Sequence, residues 1–157
     1  MHPTINQLCQ AYFNASQQAP FSIPYWHFCD NQADADDCAR LVVEGVKRAT
    51  SPSLWWHEAH NEPIAKAGDL HVVTNWQGEA QCIIQTTRVA IVPFNQITAE
   101  YAALEGEGDK SLAYWKQVHW AYYQRELAET GFTPTLEMPI VCTEFNVVLA
   151  RTQSVLA

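Results

Sequence analysis

The stretch DLHVVTNWQGEAQCIIQTTRVAIV, residues 69–92, decides the fold. Leu70–Thr74 and Ala80–Val92 are rich in apolar and β-branched residues, and Asn75-Trp76-Gln77-Gly78-Glu79 between them has the composition of a turn. These signals predict an antiparallel hairpin that stops at Pro93. Helical spacing lies on both sides of it. Ile5, Leu8, Cys9, Tyr12 and Phe13 mark a first helix from Thr4 to about Ser16, which Pro20 and Pro24 bring to an end. Tyr25–Cys29 reads as a short buried strand or loop. Asn31 or Asp34 caps the next helix, whose apolar positions are Cys38, Leu41, Val42 and Val46, with Gly45 near its end. After the hairpin come a short helix from about Thr98 to Leu104 and the loop Glu105-Gly106-Glu107-Gly108. Asp109 then caps the strongest helix, Lys110 to about Glu129, and Gly131 and Pro134 follow it. A last strand, Pro139–Leu149, precedes a mobile tail. This order predicts an α+β fold with a small mixed or closed sheet.

Size and composition narrow the function. A chain of 157 residues, 48% hydrophobic, is expected to form one globular domain. Its five cysteines are odd in number and form no CxxC pair, which argues against a zinc ribbon or a disulfide scaffold and for a reducing compartment. No signal-like start and no membrane-length apolar run is apparent, so the expected setting is cytoplasmic, without a membrane. Nine Lys and Arg against seventeen Asp and Glu give a net charge of −8, which disfavours broad binding to a phosphate backbone. A single nucleoside or one flipped nucleotide needs only a few contacts.

The chemistry is expected around Gly45-Val46-Lys47-Arg48-Ala49-Thr50-Ser51. A lysine three residues before a hydroxyl can serve as the base that activates it, provided burial or a cationic neighbour lowers its pKa. The glycines around Glu107 allow a sharp loop that turns a carboxylate inward. Such a carboxylate can protonate an amine leaving group, or it can hold the lysine charged. His57-Glu58-Ala59-His60 lacks the four-residue histidine spacing of a helical zinc site, and neither a metal nor another cofactor is expected. His71 and His119 read as packing or hydrogen-bonding histidines. Trp55, Trp56 and Trp76 fill a core or stack on a base.

Several segments together resemble one family. They are Phe28-Cys29-Asp30 before an acidic helix, Gly45-x-Lys47-x-x-Thr50 with Ser53-Leu54, and Gly68-Asp69. To these add Glu105-Gly106-Glu107-Gly108-Asp109-x-Ser111-Leu112-x-x-Trp115-x-x-x-His119, the most specific, and Val141-Cys142-Thr143-Glu144-Phe145. The chain is similar to the ASCH domain proteins of bacteria from about residue 25 to 150, and resembles a longer branch of them. The resemblance implies a PUA-like fold: a small mixed β-barrel with surrounding helices, one domain over residues 1–157 with an N-terminal helical extension of about 1–20.

Small members of the family are amidohydrolases that deacylate N4-acetylcytidine and related nucleosides. Their catalytic lysine, threonine and glutamate imply Lys47, Thr50 and Glu107 here. Glu107 is preferred to Glu105 because it lies closer to Ser111-Leu112. Arg48, Ser51, Trp55, Trp76, Glu105 and Ser111 are then expected around a modified cytosine nucleoside. The resemblance also implies two rivals. One is a module for single-stranded RNA, with Lys47, Arg48, Lys66, Arg88 and Lys110 on phosphates. The other is a metal-assisted ribonuclease using Glu105, Glu107 and Asp109.

Overall fold

The structure is a computed structural model that describes residues 1–152. In chain order the elements are α1 (Pro3–Ser16), β1 (Tyr25–Trp26), α2 (Gln32–Val43), β2 (Ala49–Thr50) and α3 (Leu54–His60). Then come β3 (Leu70–Thr74), β4 (Ala80–Pro93), a 3-10 turn (Phe94–Gln96), α4 (Ala99–Glu105), α5 (Leu112–Glu126) and β5 (Pro139–Ala150). The strands pair in the order β1-β3-β4-β5-β2. β1 runs parallel to β3, whereas β3–β4 and β2–β5 are antiparallel, so the sheet is mixed. The expected barrel is corrected: the sheet is open, with β1 and β2 at its ends. Each end strand has two residues and pairs with one neighbour, too short a ladder to close a ring.

The chain divides into two compact units. The first comprises Met1–Val46, Gly68–Gln85 and the chain from Asn146 onward. Its core joins Ile5, Leu8 and Phe13 of α1 to Val72, Ala80 and Ile83 of the hairpin. The hairpin pairs as expected, from Leu70 opposite Gln85 to Thr74 opposite Ala80. Asn31 caps α2 by accepting from the Asp34 N–H at 3.0 Å. The tail expected after β5 lies, from residue 153 on, outside the described residues.

The second unit comprises Lys47–Ala67 and Thr86–Phe145. Its core holds Phe94, Trp115, Tyr123, Leu127, Met138, Ile140 and Cys142. Two features of this unit differ from expectation. The helix α3 was not expected. None of its residues is buried, and Trp55 and Trp56 hold it by packing partly buried rings against the core. The long helix starts at Leu112 and is capped by Ser111, which accepts from the Tyr114 N–H at 3.1 Å. Lys110 is left-handed at φ 64, so Asp109 cannot be the cap and instead accepts from the Ser111 N–H.

Candidate functional site

The site is built within the second unit. Lys47, Ala49 and Ser51 are 2%, 0% and 4% exposed, while Arg48 is exposed and Thr50 half-buried. This is the period of an extended chain, and it turns Lys47 and Ser51 to the same side. Ala49 and Thr50 are held by pairing with Glu144 and Thr143 of β5. Glu105 ends α4, and Gly106, left-handed at φ 72, turns the chain so that Glu107 follows in the loop. Trp115 and His119 stand one turn apart on α5, their rings stacked at 4.1 Å.

Glu105 is the centre. Its Oε1 accepts from Lys47 Nζ at 2.8 Å. Its Oε2 accepts from the Ser51 hydroxyl at 2.7 Å, from His119 Nε2 at 3.0 Å and from the Trp115 indole N–H. Lys47 also lies 2.8 Å from Glu107 Oε1, and the Glu107 side chain keeps 20% of its surface exposed. The other nitrogen of His119 donates to the Trp115 carbonyl at 2.9 Å. Both its nitrogens therefore face oxygen acceptors, the environment of an imidazolium. Two cations and two carboxylates balance in one buried cluster.

Burial pushes the Glu105 carboxyl up, but the Lys47 and His119 charges and hydrogen bonds outweigh it and hold the group well below the usual carboxylate range. Burial pulls His119 down, and the Glu105 charge and hydrogen bond more than reverse that, so the imidazole is raised. Burial, then the Glu105 charge, drives the Tyr101 and Tyr123 phenols well above their ordinary value. Both phenols hold main chain at the site. Tyr101 donates to the Thr50 carbonyl at 2.9 Å and lies 2.8 Å from Ser51 Oγ, and Tyr123 donates to the Ser51 carbonyl at 2.6 Å.

Lys47, Ser51, Glu105 and Glu107 are thus brought together. Thr50 adjoins them in the chain and is tied through its carbonyl. Ser111 caps α5, and Trp55 stacks on Phe132 at 5.1 Å. Trp76 belongs to the first unit, where it is exposed beside the His27 ring. Tyr101, Tyr123 and the ionic role of His119 were missed. Spacing along the chain gives no sign that an aromatic hydroxyl will meet a carbonyl more than fifty residues away. The His119–Trp115 spacing of one helical turn was the available signal.

Oxygens of Glu105 and Glu107 and a nitrogen of His119 lie within 4.8 Å of one another, a spacing that could hold a metal ion. The ammonium of Lys47 already sits between the two carboxylates, and His119 directs a proton at Glu105. A metal would have to displace the first and strip the second, so the donors suit an internal cation better.

The residues of this constellation lie within the match to a family model. The ASCH domain model matches residues 24–149. The chain belongs to the ASCH domain family. An ASCH domain of Lactobacillus crispatus JV V101 is similar, at 34% identity over 95% of this chain and 96% of that one, with a TM-score of 0.87. A protein of Enterococcus faecalis V583 is 28% identical over 98% of this chain and 93% of that one, with a TM-score of 0.90. No curated protein matches the sequence. The ASCH domain has a PUA-like fold, a fold linked to RNA binding. Among the described residues, no helix is long and apolar enough to cross a membrane.

Proposed function

We propose that this ASCH protein is an amidohydrolase that removes the acyl group from N4-acylated cytosine nucleosides such as N4-acetylcytidine. One observation carries the reading. The buried Lys47 ammonium, at the head of a Lys-x-x-Thr segment, bonds one enclosed carboxylate and one partly exposed carboxylate, each at 2.8 Å. Glu105 fixes the lysine. Glu107 is the carboxylate with access to substrate.

The proton path runs between Lys47 and Glu107. Lys47 passes a proton to Glu107, the Thr50 segment turns its hydroxyl toward Lys47 on substrate binding, and the neutral amine takes the hydroxyl proton as the oxygen attacks the acyl carbon. Backbone N–H groups near Thr50 and Ser51 stabilise the oxyanion. Glu107 then protonates N4 as the C–N bond breaks, releasing cytidine and leaving an acyl-threonine ester. In the second half Glu107 takes a proton from the attacking water, and Lys47 returns one to the Thr50 oxygen as the acid leaves. A final transfer from Glu107 to Lys47 restores the starting state.

The test is release of cytidine from N4-acetylcytidine, followed by chromatography. Lys47→Ala and Thr50→Ala are expected to slow release by about 100-fold or more. Variants as fast as the parent would end the proposal. The family's link to RNA and the exposed Arg48 beside Lys47 support a second reading, a module that binds single-stranded RNA without chemistry. Tight, strongly salt-dependent RNA binding with no cytidine release would decide for it.

A further inference from the structure

The first unit carries a pair of thiols that the proposed chemistry does not use. Cys29 and Cys38 place their sulfurs 3.6 Å apart. Cys29 is half-buried, in the loop before the Asn31 cap, and Cys38 is buried on α2. Cys29 is therefore the residue of the pair that retains access to a small oxidant, and Cys38 is the enclosed one. Bringing them to bonding distance requires an approach of about 1.5 Å, within the reach of side-chain rotation. The remaining thiols are differently placed. Burial raises the Cys9 thiol above its ordinary value and pushes the Cys82 and Cys142 thiols up to about 12, which disfavours the reactive thiolate at all three.

We propose that Cys29 and Cys38 form a peroxide-sensitive redox pair, with Cys29 the attacked sulfur and Cys38 the resolving one. Cys29 gives up its proton, its thiolate attacks a peroxide oxygen, the O–O bond breaks, and the departing hydroxide takes up that proton, so that a sulfenic acid and one water result. The Cys38 sulfur then attacks Cys29, the S–O bond breaks, and the hydroxyl leaves as a second water with the Cys38 proton. Two thiols lose two electrons and the peroxide is reduced to water.

The experiment treats the full chain with hydrogen peroxide, blocks residual thiols and measures intact mass and peptide maps. A loss of about 2 Da, a Cys29–Cys38 linked peptide and reversal by dithiothreitol are expected. In Cys38→Ser, Cys29 should instead gain oxygen at least five-fold faster than in the parent, whereas Cys9→Ser should behave as the parent does. The proposal is overturned if the parent shows no such loss, if a different pair is linked, or if Cys29 over-oxidises equally fast with and without Cys38.

Discussion

Glu105 is a carboxylate with four donors and almost no water, and its worth lies in what it neutralises. Removing its charge strands the Lys47 ammonium and the His119 imidazolium beside a neutral amide. Glu105→Gln should therefore cost roughly 3–5 kcal/mol of folding stability, read from denaturant midpoints. Glu107→Gln, at a partly exposed position, should cost about 1 kcal/mol and yet lose most deacylation. Equal stability losses would mean that the two carboxylates are not divided in this way. The pH dependence has a definite sign. His119 is raised above its ordinary 6.5, so its contribution is complete below that pH and fades as pH rises through the folded value. Glu105 is depressed from 4.5, so its contribution is present above that pH and fades as acid reaches the folded value. Stability from this cluster should plateau between those limits. The gap between parent and His119→Gln should close above the plateau, and a gap that widens with alkali would contradict the assignment.

Among the elements, the loop between α4 and α5 sets where Glu107 can reach. Gly108 is left-handed at φ 56, and the Tyr114 ring lies where any Cβ at that position would have to be. Gly108→Ala should displace the loop and slow deacylation about ten-fold or more, because misplaced catalytic groups lose rate steeply. Truncating the ring in the Gly108→Ala/Tyr114→Ala double variant should recover part of the loss. Absence of recovery would put the cost on backbone conformation alone. Farther along α5, burial raises the Glu126 carboxyl to about 7, and its Oε2 has no hydrogen-bond partner among the described residues. Its protonated form is the favoured one in the fold, so stability is lost as pH rises from the ordinary 4.5 through about 7. Glu126→Gln should be more stable than the parent at pH 8, by about 1 kcal/mol, with little difference at pH 5. The helix caps show why elements were legible where local signals agree. Thr98 and Asn31 cap as their types suggest, but the choice between Asp109 and Ser111 depended on Lys110 turning left-handed.

For the whole molecule, the net charge of −8 favours a small neutral substrate over a polyanion. Deacylation should change less than about two-fold between 50 and 300 mM salt, since an uncharged nucleoside has no counterions to release. A steep fall with salt would point instead to RNA. The chain alone determined the hairpin, the helices that flank it and the α+β class, because periodicity, turn residues and caps act over a few neighbours, and it singled out Lys47, Glu105 and Glu107 as candidates. It also pointed to the ASCH family through short, ordered motifs. Only the tertiary structure decided that the sheet stays open, that α3 is a helix held by its tryptophans, and that Glu105 rather than Glu107 sits at the buried centre. It also assigned His119 an ionic role and Tyr101 and Tyr123 the main chain around Thr50 and Ser51. Those outcomes depend on burial and on contacts between distant parts of the chain, where desolvation and pairing of charge set each group's state.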